Sequence, residues 1–196
     1  MVESDAEVEE QFFGMPRSRF FEADERYAIV IGCSEYAELR KVEGKQGFAD
    51  LPETMNDVRV AQAGLRRLGF ARQEIQVLKE PTFNELHVVV NDMCTTIYRN
   101  NCQGLNTLLF VYYAGHGMMD NNTYCVLNEK RMYPLEKMLR SMAKADGSYV
   151  ISLFDCCREK LPEDVSRGLG QGDLFAGDVV AQDQTFSVNY IATYGC

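Results

Sequence analysis

Two short segments of the sequence carry side chains that could perform nucleophilic chemistry. His116 has a glycine on each side, which lets a substrate approach the backbone closely and leaves N–H groups available as donors. Cys157 directly follows a second cysteine, Cys156. An imidazole that takes the proton of a thiol generates a thiolate nucleophile. The alternative is a glycine turn that holds a histidine by coincidence, with two small cysteines packed as buried hydrophobes.

The elements that precede these segments decide whether the two side chains meet. An apolar run over 106–113 predicts a buried strand that ends just before His116. A second run, over 148–154, predicts another strand that ends just before Cys157. The carboxyl ends of parallel strands lie at one edge of a sheet, where ligands bind in such folds. Because successive residues of an extended chain point to opposite sides, only one of the two adjacent cysteines can face the histidine.

The rest of the chain alternates predicted strands and helices. Further strands are predicted over 27–32, 75–78 and 186–192, a minor hairpin arm over 124–127, and helices over 55–68, 83–98 and 135–145. This alternation indicates an α/β fold with three layers and a mainly parallel sheet. The chain of 196 residues is long enough for one such domain with a proper core.

Composition excludes several classes of protein. The net charge is −9, and five acidic residues without a compensating base lie in the first ten positions, which argues against nucleic acid as a partner. No apolar run approaches the ~20 residues of a membrane-spanning helix, and the acidic N-terminus is unlike a secretory signal. The seven cysteines show no C-x-x-C spacing, so we expect reduced thiols, no metal site and a cytoplasmic location.

From about residue 26 to residue 193, the sequence resembles the caspase, metacaspase and paracaspase group of cysteine peptidases. The resemblance is carried by four segments: the strand at 27–32, the stretch from Leu51-Pro52 through Asn56-Asp57-Val58 into a helix that ends at Leu68-Gly69-Phe70, Tyr112–Gly117, and Asp155–Arg158. The caspase signature Q-A-C-[RQG]-G is met only at Cys157 and Arg158. The D-x-C pattern is instead that of metacaspases and paracaspases. The resemblance implies a caspase-like fold, expected here without its last strand or strands.

The resemblance also implies a role for each motif position. Cys157 is then the nucleophile, in preference to Cys156, and His116 is the general acid and base. The backbone N–H groups of Gly117 and Cys157 form the oxyanion hole. The histidine of this family is oriented largely by backbone, so no acidic third member is required.

Substrate specificity follows from two acids that match the family pattern. Asp57 and Asp155 correspond to the carboxylates that metacaspases and paracaspases place in the S1 pocket. Paired carboxylates favour a cation and repel an acidic side chain, so we expect cleavage of proteins or peptides after Arg or Lys. The alternatives are an acid favoured by a helix N-terminus for Asp57 and a solvated strand end for Asp155.

The predicted organisation has four parts: an acidic flexible tail over 1–25, a caspase-like large-subunit core over 26–157, an activation loop over 158–185, and the start of a small-subunit region over 186–196. Self-cleavage of a zymogen is expected after Lys160 or Arg167. The family continues beyond the fifth strand, which implies that a second chain or a C-terminal small subunit is a partner. No cofactor is assigned, and a need for calcium, which some metacaspases have, is implied by the resemblance alone. The alternative functions are a non-catalytic scaffold or regulatory module, or an inactive fragment.

Overall fold

The computed structural model describes residues 23–39, 41–42, 45–46, 48–120, 122–129, 131–157, 159–160 and 190–195. In chain order the strands are β1 (Glu25–Gly32), β2 (Lys41–Val42), β3 (Lys45–Gln46), β4 (Ile75–Lys79), β5 (Thr107–Ala114), β6 (Gly117–Asp120), β7 (Asn122–Leu127), β8 (Arg131–Tyr133), β9 (Ser148–Asp155), β10 (Glu159–Lys160) and β11 (Tyr190–Gly195). The helices are α1 (Thr54–Arg67), α2 (Phe83–Cys102) and α3 (Leu135–Met142).

The centre of the fold is a five-stranded sheet in the order β11-β9-β5-β1-β4, with every pair parallel. The chain moves from β1 outwards to β4 and then returns to β5 on the other side of β1. The direction of winding therefore changes between β1 and β5, and a crevice opens at the carboxyl ends of strands at such a point. The predicted mainly parallel α/β sheet is confirmed.

Helices cover both faces of this sheet because the strands alternate their apolar side chains between the two faces. Ala28 and Val30 of β1 pack with Val58 and Leu65 of α1. The opposite face of β1, through Ile29, packs in a larger cluster with α2 and α3. The result is a three-layer domain, and none of its helices among the described residues is long and apolar enough to cross a membrane.

The predicted elements are present, but several end at different residues. The helix predicted over 83–98 continues to Cys102. The prediction was too short because the apolar periodicity stops at residue 97, whereas the helix continues until just before Gly104, which has a positive φ. Its start is fixed by Thr82, which accepts the Glu85 N–H and whose own N–H bonds the Glu85 carboxylate. Of the strand predicted over 186–192, residues 186–189 lie outside the described residues, and the described strand, Tyr190–Gly195, continues past residue 192.

A small second sheet, in the order β10-β6-β7-β8, is larger than the predicted hairpin arm over 124–127. Its strands β6 and β7 form an antiparallel hairpin that begins at Gly117. Strand β10 pairs parallel to β6, with Glu159 opposite Met118. This sheet therefore continues the chain segments that leave the ends of β5 and β9.

Candidate active site

The segments with His116 and Cys157 lie side by side at the carboxyl edge of the central sheet. Strands β5 and β9 are neighbours, and the last residues in register are Ala114 and Asp155. His116 and Cys157 each lie two residues beyond this pair. The N–H of Gly115 donates to the carbonyl oxygen of Asp155 at 3.3 Å, which holds the two strand ends together past the sheet.

The imidazole of His116 is held by the loop that follows β1. Its Nε2 lies 2.8 Å from the carbonyl oxygen of Ala49. The rings of Tyr36 and Phe48 contact it with centroid distances of 4.6 and 4.9 Å. Because a carbonyl oxygen only accepts, this hydrogen bond assigns the proton of the neutral ring to Nε2. The other nitrogen, Nδ1, is then the one with a lone pair.

The two adjacent cysteines differ in exposure. Cys156 is buried, whereas Cys157 is exposed. The backbone of Gly117 runs directly against both: a Cβ built on Gly117 would lie 2.5 Å from Cys156 Sγ and 2.7 Å from the carbonyl oxygen of Cys157. Only glycine fits this close approach, which brings the Gly117 backbone beside the predicted nucleophile.

The other described thiols lie in different surroundings. Burial, followed by the charge of Glu80, raises the pKa of Cys33 to about 12. Burial also raises the pKa of Cys125 well above its ordinary value. A thiol with a raised pKa is a poor nucleophile. Cys94 and Cys102 are exposed but lie on α2.

An acidic pocket of about 250 Å³ opens between the start of α1 and the carboxyl ends of β5 and β9. It is lined by Leu51, Pro52, Glu53, Thr54, Asp57, Ala114, Gly115 and Asp155. Burial raises the pKa of Asp57, and the negative charges of Asp155 and then Glu53 raise it further. The hydroxyl of Tyr112 donates to Asp155 Oδ2 at 2.9 Å. The pocket therefore holds three carboxylates, and the described residues that line it include no basic side chain.

The structure thus places the predicted residues His116, Gly117, Cys157, Asp57 and Asp155 around one edge of the sheet. Of the two predicted self-cleavage positions, Lys160 lies in β10 opposite Met119, and Arg167 lies outside the described residues, as does most of the predicted loop over 158–185.

Three residues contribute to this edge without a signal in the sequence motifs: Glu53, Tyr36 and Ala49. Glu53 lies one helical turn before Asp57, inside the matched segment from Leu51-Pro52 to Asn56-Asp57-Val58, but the resemblance gives this position no role. Tyr36 and Ala49 belong to a loop without periodicity, about 70 to 80 residues before the histidine that they contact. Nothing in the sequence signals the contacts of Tyr36 and Ala49. The spacing of four residues between Glu53 and Asp57 is the one available signal, because residues four apart share a helix face.

No group of three or more His, Cys, Asp or Glu side chains suited to holding a metal ion occurs within the described ranges.

A parallel α/β sheet that presents a histidine and an exposed cysteine at neighbouring strand ends is the arrangement expected of a thiol-dependent hydrolase. A family model described as the caspase domain matches residues 25–192. The chain belongs to the caspase-domain family of cysteine peptidases, whose substrates are proteins. A comparison with curated proteins gave no significant match.

Proposed function

We propose that the chain is a cysteine endopeptidase that cleaves peptide bonds after Arg or Lys. The observation that supports this specificity is the acidic pocket, whose lining residues Ala114, Gly115 and Asp155 directly precede the His116 and Cys157 segments. A side chain bound in that pocket would present the following peptide bond close to both.

The proposed reaction uses Cys157 as nucleophile and His116 as general acid and base. Nδ1 of His116 takes the proton of Cys157 Sγ, and the thiolate attacks the scissile carbonyl carbon to form a C–S bond. The same imidazolium then gives its proton to the leaving amine as the C–N bond breaks. Water, deprotonated by His116, attacks the resulting thioester, which releases the acid product and restores the thiol.

The developing oxyanion needs hydrogen-bond donors that are already in place. We assign this role to the N–H groups of Gly117 and Cys157. The close approach of the Gly117 backbone to the Cys157 segment supports the assignment, since no side chain keeps the two apart. Loss of one such donor typically costs about 2.7–4 kcal/mol of transition-state stabilisation.

The preference for a basic side chain follows from mutual repulsion within the pocket. The raised pKa of Asp57 reflects burial and the charges of Asp155 and Glu53. A cation that enters the pocket therefore stabilises the ionised form of Asp57. An acidic side chain would add a fourth negative charge and is rejected. Tyr112 holds the Asp155 carboxylate in place through its 2.9 Å hydrogen bond.

Two further proposals have different grounds: the compartment rests on the cysteine pattern and the acidic N-terminal segment, and self-cleavage rests on the family resemblance. The chain works in a reducing, cytoplasmic compartment, where Cys157 stays a thiol. Self-cleavage follows Lys160 or Arg167. The β10–β6 pairing at Lys160 must open before that bond can enter the site.

Covalent labelling tests the proposal directly. Intact mass is recorded after treatment with a peptidyl arginyl chloromethylketone, on the parent chain, on Cys157→Ala and on Cys156→Ala as the matched control. We expect one adduct on the parent and on Cys156→Ala, none on Cys157→Ala, and none with an aspartyl probe. The same spectra report self-cleavage.

Labelling of Cys157→Ala, or labelling by the aspartyl probe alone, would contradict the proposed nucleophile or the proposed specificity. No adduct with either probe would favour a non-catalytic module or a chain that needs a further segment.

A further inference from the structure

Two buried tyrosines hold the backbone of His116. Tyr36 and Tyr113 both have fully buried side chains. The N–H of His116 donates to the Tyr36 hydroxyl at 2.8 Å, and the Tyr113 hydroxyl donates to the carbonyl oxygen of His116 at 2.6 Å. The two hydroxyl groups therefore satisfy the backbone donor and a backbone acceptor of the same residue, on the two peptide groups that flank its Cα.

The two hydrogen bonds are not equivalent. The carbonyl oxygen of His116 also accepts the N–H of Val126 at 3.0 Å, so it keeps a partner if Tyr113 loses its hydroxyl. Within the described part of the chain, the N–H of His116 finds its acceptor in Tyr36 alone. A buried N–H without an acceptor costs more than a carbonyl that loses one of two donors.

Tyr36 also acts on the imidazole ring. The rings of Tyr36 and His116 pack in a T-shaped arrangement, with a centroid distance of 4.6 Å and an interplanar angle of 64°. Its hydroxyl proton is used by the carbonyl oxygen of Cys33 at 2.9 Å, and its backbone N–H donates to Asp50 Oδ1 at 2.9 Å. Tyr36 therefore links the loop after β1 to both the backbone and the ring of His116. Ala49, in the same loop, accepts the hydrogen bond from Nε2.

The neighbouring glycine shows how closely the hydroxyl groups surround this turn. A Cβ built on Gly115 would lie 2.7 Å from the Tyr36 hydroxyl and 2.7 Å from the Tyr113 hydroxyl, and the residue has φ +153°. No side chain fits between the two tyrosines. The glycine before the histidine is therefore required by the tyrosines themselves.

We propose that Tyr36 is a positioning residue that sets the orientation of His116, and that Tyr113 contributes far less to it. The inference rests on the proposed function, in which Nδ1 of His116 takes the Cys157 proton. Removing the Tyr36 hydroxyl frees the backbone of His116 at the point where the chain turns from β5 into β6. The imidazole then samples orientations in which Nδ1 no longer faces the thiol.

The matched pair Tyr36→Phe and Tyr113→Phe tests this proposal, because each removes one oxygen atom from a fully buried ring. We expect Tyr36→Phe to lower kcat for an arginyl peptide by about tenfold with KM nearly unchanged, since the lost hydrogen bond acts on the chemical step. Tyr113→Phe should stay within about threefold of the parent. Melting temperatures of both variants are recorded beside the kinetics.

A second readout needs no activity. In a Cys157→Ala background, amide hydrogen exchange of His116 followed by NMR should be about tenfold faster in Tyr36→Phe than in Tyr113→Phe. Equal exchange in the two variants, or losses of kcat that follow the losses of melting temperature in both, would overturn the positioning role. An inactive parent would count against the proposed function, whereas unequal exchange would still support the hold of Tyr36 on the His116 backbone, on which its positioning role depends.

Discussion

One buried carboxylate and a cluster of three pocket carboxylates have opposite surroundings in this molecule. Glu136, in the first turn of α3, is fully buried and accepts hydrogen bonds from the Thr123 N–H at 2.7 Å, from Arg140 at 2.7 and 3.0 Å, and from the Tyr194 hydroxyl at 2.8 Å. The acids Asp57, Asp155 and Glu53 instead line one pocket, where the charges of Asp155 and Glu53 act on Asp57. Glu136 therefore connects three elements of the fold, whereas the pocket acids form a candidate binding site.

The pKa shifts express the same difference. Burial alone would raise the pKa of Glu136, but hydrogen bonds from Thr123, Arg140 and Tyr194 outweigh burial, and the net pKa is lowered. For Asp57, burial and the neighbouring negative charges act in the same direction, and the pKa is raised. A carboxylate with donors around it stabilises the fold, whereas one among other carboxylates favours a cation, and the described residues that line the pocket supply none.

The largest expected effect comes from removing the buried carboxylate of Glu136. Glu136→Ala removes the carboxylate that accepts the buried N–H of Thr123 and the hydroxyl of Tyr194, and it removes one of the contacts between β11 and α3. We expect the free energy of unfolding to fall by about 3 kcal/mol at pH 7, measured by urea denaturation. Lys137→Ala, at an exposed position of the same helix, is the control and should change it by less than about 0.5 kcal/mol.

The sign of the pH dependence sharpens this test. Because the pKa of Glu136 is lower in the folded chain than in the unfolded chain, its stabilisation is present at neutral pH and is lost as the pH falls through the lowered value. The difference in free energy of unfolding between Glu136→Ala and the parent should therefore become smaller as the pH is lowered. A constant difference from pH 7 to pH 3 would mean that packing, and not the charge, makes the contribution.

The second effect concerns the pocket. In the double variant Asp57→Asn and Asp155→Asn, we expect kcat/KM for an arginyl peptide to fall by about 100-fold, because two charge-assisted interactions are lost. The matched substrate replaces arginine by citrulline, which has the same shape without the charge, and its kcat/KM should change far less. Equal losses for both peptides would show that the variant disturbs the site in general, and would contradict an electrostatic pocket.

Much of this arrangement could be predicted from the sequence because it depends on local patterns. The apolar runs predict β5 and β9, and the parallel-sheet rule then places His116 and Cys157 at one edge. The register of Ala114 with Asp155 agrees with that expectation. Asp57 and Asp155 were found because they stand in short motifs, and the structure places them in one pocket.

The contacts that sequence analysis could not predict join distant segments. Tyr36 contacts His116 across 80 residues. Glu136 has the position of an ordinary acid in the first turn of a helix, and its burial depends on Thr123 and Tyr194, which come from other elements. Side-chain contacts of this kind depend on how the layers pack, and no local periodicity records them.

The smallest effect is the titration of the pocket, and it separates Asp57 from the catalytic pair. The ratio of kcat/KM for the arginyl peptide to kcat/KM for the citrulline peptide cancels the ionisation of His116 and Cys157, which both substrates share. We expect this ratio to fall as the pH is lowered through the raised pKa of Asp57, because a protonated pocket no longer favours the cation. The fall should begin at a higher pH than an ordinary aspartate would give.

Variants of the neighbouring acids then rank the causes of that shift. Asp155 contributes more than Glu53 to raising the pKa of Asp57. Asp155→Asn should therefore move the midpoint of the ratio further towards acid than Glu53→Gln does. Glu53 is exposed, so Glu53→Gln should reduce the ratio at pH 7 by only about two- to fivefold, and less at high ionic strength. A midpoint that none of these substitutions moves would assign the titration to a group outside the pocket, and the contrast between the two sets of carboxylates would then lie in their burial rather than in their charge.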